Sequence, residues 1–169
     1  MKTVLMVKES EGIDYKKFSK WRKLIQVTAY ILGFITNLKA KNVIKGGPLS
    51  TEELAVAESY WIFEAQKSLH ERIKEEFKSL SIFEKDKIIH VGGRACNGKL
   101  SYESRHPVLL PNDHYISYLI TRHVHEQGHY GVATTAAKVR SEYWVVGVTR
   151  LAKTIKYRCV TCRILKRHG

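Results

Sequence analysis

Two histidines and two cysteines stand at spacings that suit a metal ion: His125-Glu-Gln-Gly-His129 and Cys159-Val-Thr-Cys162. Three residues between the histidines predict both imidazoles on one face of a helix. Two residues between the cysteines let a tight turn present both thiolates to one ion. The 29 residues between His129 and Cys159 suffice for a helical hairpin that brings the pairs together. Two imidazoles and two thiolates make a closed tetrahedral set for zinc, with no position left for a substrate. A redox CxxC and unliganded core residues are the competing readings of the same positions. His123 is an alternative imidazole ligand, but the 125/129 pair has the tighter and more usual spacing.

HEQGH also fits H-E-x-x-H, the metallopeptidase pattern in which the glutamate activates a zinc-bound water. That chemistry needs a third protein ligand and an open fourth position. After His129 the only carboxylate is Glu142 and the only later histidine is His168. Gly128 within the motif costs a helix about 1 kcal/mol relative to alanine and better suits a helix end. Glu126 is therefore not expected to act as a base, and no catalytic residue is assigned.

The formal charge of +13 is unevenly spread. Residues 1–113 hold 19 Lys/Arg against 14 Asp/Glu, and residues 114–169 hold 10 against 2. A small zinc module with that field should attract polyanions, nucleic acid above all. A merely soluble basic surface is the alternative that charge alone leaves open. Lys153, Lys156 and Arg163 flank the cysteine pair and are the expected phosphate contacts.

Three blocks must position these residues. From Tyr15 to Lys41, Phe18, Trp21, Leu24, Ile25, Ile31, Leu32, Ile35 and Leu38 recur at helical spacing. Gly46-Gly-Pro48 breaks the pattern, and Ser50-Thr-Glu-Glu53 reads as a capping box opening a second helix. Leu54, Ala57, Trp61, Ala65 and Leu69 mark its buried stripe, and Glu71–Glu76 continues it as a solvated face. Trp21 and Trp61 read as helix–helix core. The middle block is β-like: Ile88–Val91 is a strand candidate, Gly92-Gly93 and Asn97-Gly98 are turn signals, and Pro107–Pro111 reads as extended. The third block predicts helices from Asp113 to Glu126 with Asn112 as cap, from Thr134 or Thr135 to Tyr143 with Ala137, Val139 and Tyr143 inward, and from Thr149 to Arg158.

Neither a signal peptide nor a transmembrane span is expected, because the apolar runs are short or broken by polar residues and Gly33. Few cysteines, two committed to metal, suit a reducing, intracellular compartment. Cys96 reads as a free thiol in a turn-like stretch.

The run H125-E-Q-G-H-Y-G131, T135-A-A-K-V-R140, Y143-W144 and K156-Y-R-C-V-T-C-R163 resembles the zinc-binding N-terminal domain of retroelement integrases, with the nearest likeness to Pol polyproteins of BEL/Pao-type LTR retrotransposons. Val91-Gly-Gly-Arg94 with Arg105–Pro111 resembles the segment preceding that domain. W21-R-K-L-I-Q-V-T-A-Y30 with G47-P-L-S-T-E-E-L54 resembles the helical connector between RNase H and integrase. The resemblance implies support for multimer assembly and contact with the element's DNA ends, in a nucleus or virus-like particle. A host-retained protein-interaction module without DNA contact is the alternative. The family's catalytic carboxylates are expected after the zinc domain, whereas the seven residues after Cys162 include no acid; no catalysis is expected of this chain.

The expected architecture is mainly α with a small β segment. It comprises a helical connector (1–86), a short β or extended segment (87–112) and a three-helix zinc-stabilised bundle (113–166) that binds one Zn2+ through His125, His129, Cys159 and Cys162. Partners are DNA, and further copies or integrase chains.

Overall fold

In the computed structural model the described residues are 13–40, 47–69, 77, 80–92 and 105–167. The expected continuation Glu71–Glu76, the turn at Asn97-Gly98, Cys96 and His168 lie outside them.

Asp14 caps a 3-10 turn, Tyr15–Lys17, by accepting from the Lys16 amide. Helix α1, Trp21–Ala40, begins only after it, later than the apolar pattern suggested. Its first half buries Trp21, Leu24, Ile25, Thr28 and Ala29. Beyond Ala29 the helix leaves the core gradually, with Leu32 still packed against it. Of the expected stripe Leu32 and Ile35 are half-buried, whereas Ile31 and Leu38 are exposed, as are Tyr30 and Phe34.

Helix α2, Thr51–Gln66, opens on the predicted capping box. Ser50 Oγ accepts from the Glu53 amide at 3.2 Å, and Glu53 Oε2 accepts from the Ser50 amide at 2.7 Å. Both tryptophans are core, and Trp61 Nε1 donates to Thr28 Oγ1 at 2.8 Å, satisfying two buried polar groups between α1 and α2.

Strands β1 (Ser81–Lys85) and β2 (Ile88–Gly92) form a hairpin. Asp86 and Lys87 turn it with φ of 53° and 65°, the left-handed pair that matches strand twist in a two-residue loop. The hairpin turn thus precedes the expected glycines, and β1 occupies residues read as connector. Strand β3 (Val108–Leu110) pairs antiparallel with β2 and parallel with β4 (Tyr143–Val145), giving the order β1-β2-β3-β4. Tyr143 was expected to end a helix; it starts this strand instead.

Helices α3 (Tyr115–Glu126) and α4 (Val132–Arg140) connect β3 to β4. The α3 cap is His114, not Asn112: its Nδ1 accepts from the Ile116 amide at 3.3 Å. In α4 the inward residues are Thr135, Ala136 and Val139, while Ala137 is exposed. After β4 come α5 (Val148–Arg158) and α6 (Val160–Arg167). The bundle therefore has four helices rather than three, because the chain turns at Cys159 and resumes.

One apolar core joins Trp21, Leu24, Ala57 and Trp61 of the lead-in to Ile116, Leu119, Val139, Tyr143 and Val148 of the zinc-binding stretch. A smaller cluster under the sheet holds Leu69, Phe77, Ile89, Val91 and Leu109. The short helices after residue 113 thus do not rely on their own apolar contacts alone.

Candidate metal centre

Helix α3 stops at Glu126, so His125 occupies its last turn and His129 lies beyond it. The expectation of one helical face is corrected here. His129 takes a left-handed backbone, φ 47°, which for a non-glycine residue costs roughly 1–2 kcal/mol. That reversal swings its imidazole back toward His125. Gly128 permits the tight return, since a Cβ there would stand 2.6 Å from the Tyr130 ring.

His125 is buried, and its Nδ1 lies 3.1 Å from the Tyr130 carbonyl oxygen. A carbonyl only accepts, so Nδ1 carries the hydrogen and Nε2 keeps its lone pair for a metal. Burial lowers the His125 pKa and so favours the neutral, ligating ring.

The cysteines come from the corner between α5 and α6. Cys159 caps α5 with an extended backbone, and its carbonyl accepts from the Arg163 amide as α6 begins. Cys162 lies one turn on, as the tight-turn expectation required. Cys159 Sγ is 3.3 Å from His129 Nδ1, and Cys162 Sγ is 3.4 Å from His125 Nε2 and 3.9 Å from His129 Nδ1. One ligand atom from each of the four residues lies within 4.8 Å of the others. Zinc bonds of about 2.3 Å to sulfur and about 2.0–2.1 Å to nitrogen in a tetrahedron place S and N roughly 3.6 Å apart. The four residues fit zinc. Burial, then the neighbouring Cys159, raises the Cys162 thiol pKa, and a divalent cation at the centre would oppose that shift.

His123 is not part of this group; its Nε2 lies 3.5 Å from the Gln127 amide nitrogen. Glu126 is held by Arg122, whose Nε donates to it at 2.6 Å. That bond is also the main cause of a raised Arg122 pKa. A metallopeptidase arrangement needs an open position and a free carboxylate, and here four protein groups converge while the carboxylate is engaged.

Residues 113–168 match the family model of the integrase zinc binding domain. No curated protein and no solved structure gives a match. The integrase zinc-binding match takes in all four ligand candidates and none of α1, α2 or β1–β3.

Within this domain Lys153, Lys156 and Arg163 are exposed, as are Lys138, Arg140, Arg150 and Arg158. On α5 the buried face is Val148, Ala152 and Ile155. At 100° per residue Lys153 and Lys156 lie to one side of it and Arg158 to the other. Lys156 is near enough to the centre to add a small pull to the burial that lowers the His125 pKa, and to oppose slightly the burial that raises that of Cys162. Sequence reasoning missed the Tyr130 carbonyl, which sets the His125 tautomer; no side-chain pattern announces a backbone acceptor. It also missed the Lys138 ammonium, 4.7 Å over the Tyr130 ring.

Proposed function

We propose that residues 113–166 are a non-catalytic, zinc-folded integrase module that binds DNA through phosphates and supports multimer assembly. The observation that carries the reading is the convergence of His125, His129, Cys159 and Cys162 into a closed donor set, in the stretch that matches the integrase zinc binding domain. A closed set holds structure and leaves no site for a substrate.

The exposed cations around α4–α6 support phosphate binding, with Lys153, Lys156 and Arg163 as the favoured contacts. The exposed apolar side chains of Tyr157, Val160, Ile164 and Leu165 support contact with another copy or an integrase chain. We take residues 1–86 as the connector of a BEL/Pao-type Pol and 87–112 as the segment before the module; Trp21, Leu24, Ala57, Trp61 and Leu110 of these stretches share its core. Thiolate ligands suit a reducing, intracellular setting. Among the described residues, no helix is long and apolar enough to cross a membrane.

A duplex DNA titration at several salt concentrations tests the reading. With about four phosphates neutralised, log affinity should fall against log salt with a slope of roughly −3.6. Charge reversal at Lys153, Lys156 and Arg163 should weaken binding and leave zinc content unchanged. Zinc-loaded protein that ignores DNA even at low salt would favour the interaction module instead.

A further inference from the structure

A cleft of about 540 Å³ takes in the metal centre, with His125, His129 and Cys159 in its wall, and reaches out to Lys20 of the lead-in. Its walls include Lys20 from the segment before α1, Tyr118, Arg122 and Glu126 from α3, and Arg158 and Val160 from the α5–α6 corner. Arg122 and Glu126 bond to each other at 2.6 Å and offset one another. Lys20 and Arg158 are exposed and have no carboxylate partner among the described residues. Two positive charges therefore remain, contributed by opposite ends of the sequence. Tyr118 is half-buried and stacked on Tyr115, with ring centroids 5.6 Å apart and planes at 24°.

Two uncompensated cations beside a braced aromatic ring suit a ligand with a phosphate and a flat base. Sites for unpaired nucleic acid combine the same features, a cationic track and an aromatic platform. A duplex keeps its bases stacked inside, so only an unpaired strand can lay one on Tyr118. We propose that this cleft holds one nucleotide of an unpaired strand, with its phosphate between Lys20 and Arg158 and its base on Tyr118. The inference rests on the nucleic-acid reading above and adds the lead-in to the binding surface.

The test compares a labelled ten-nucleotide oligothymidylate with a blunt duplex of equal length, both titrated against the full zinc-loaded chain. Tyr118→Ala should weaken single-strand binding by about fivefold to a hundredfold, the range for loss of one stacked base. Tyr118→Phe should retain that binding. Lys20→Ala and Arg158→Ala should together make the single-strand salt slope about 0.7 shallower, because they share one phosphate. All four variants should keep their zinc. Tyr118→Ala, Tyr118→Phe and Lys20→Ala should also keep their duplex affinity, whereas Arg158→Ala, on the basic surface as well, should bind the duplex somewhat less tightly. Single-strand affinity unchanged across Tyr118→Ala, Lys20→Ala and Arg158→Ala, with duplex binding intact, overturns the cleft and leaves the broader reading standing. Wild-type protein that binds neither probe overturns both.

Discussion

The Tyr143 hydroxyl donates a hydrogen bond to the Glu58 carboxylate, 85 residues upstream, and ties β4 to α2. Burial, then Glu58 itself, raises the Tyr143 pKa well above its ordinary value, so the phenol stays protonated and able to donate. Tyr143→Phe should cost about 1–3 kcal/mol, since it leaves a partly buried carboxylate without its donor. Urea unfolding of the zinc-loaded chain measures this, and a loss below about 0.5 kcal/mol would show that the bond is solvent-compensated.

Gln66 ties the end of α2 to the sheet. Its side chain donates to the carbonyls of Ile89 and Leu109 at 2.9 and 2.7 Å and accepts from the Ile89 amide at 2.9 Å. Gln66→Leu has nearly the same shape but strands three buried backbone groups, and should cost about 2–4 kcal/mol. Hydrogen exchange should quicken first at Ile89. Unchanged protection at that amide would contradict the bracing role.

His114 should add a pH dependence below neutrality. Burial lowers its pKa, against the opposing pull of Asp113 and Glu64, and its Nδ1 must stay unprotonated to accept from the Ile116 amide. Its ring also stacks on Tyr15 at 5.2 Å. Because the folded pKa lies below the unfolded one, this stabilisation is complete above about 6.5 and is lost as pH falls through the folded value. His114→Asn keeps a capping side chain and does not titrate in that window. The stability difference between wild type and this variant should therefore shrink or reverse on acidification, while zinc loss affects both alike. A difference that is flat between pH 7.5 and 5.5 would count against the cap.

Much of the architecture was readable because it rests on local rules. Ser50 and Glu53 announce their cap by type and spacing, and the apolar phase of Trp21, Leu24 and Ile25 fixes a helical face. The ligand set was readable because zinc chemistry restricts residue types and spacings. Other features depend on what lies far away in the chain. Tyr143 continues the apolar pattern of α4, yet pairing with Val108 draws it into the sheet. Leu38 fits the helical period of α1, but the core ends before the helix does. Asp86-Lys87 lacks the glycine that usually marks a left-handed hairpin turn, and His129 is left-handed with no sequence signal beyond the preceding Gly128.

The packing also locates where the metal matters most. Most of the zinc-binding stretch shares the lead-in's core, whereas α6 exposes Val160, Ile164 and Leu165 and contributes no described residue to that core. Chelation should therefore release α6 and the end of α5 before α3 and α4. Circular dichroism should show a partial loss of helix, with a second transition on heating.

Elemental analysis of the purified chain and its Cys159→Ser variant tests the central claim most directly. The wild type should carry one zinc per chain, and the variant should lose most of it at micromolar free zinc, together with the helical signal of α6. A wild type without zinc, or a Cys159→Ser chain with full zinc content, would contradict ligation by His125, His129, Cys159 and Cys162.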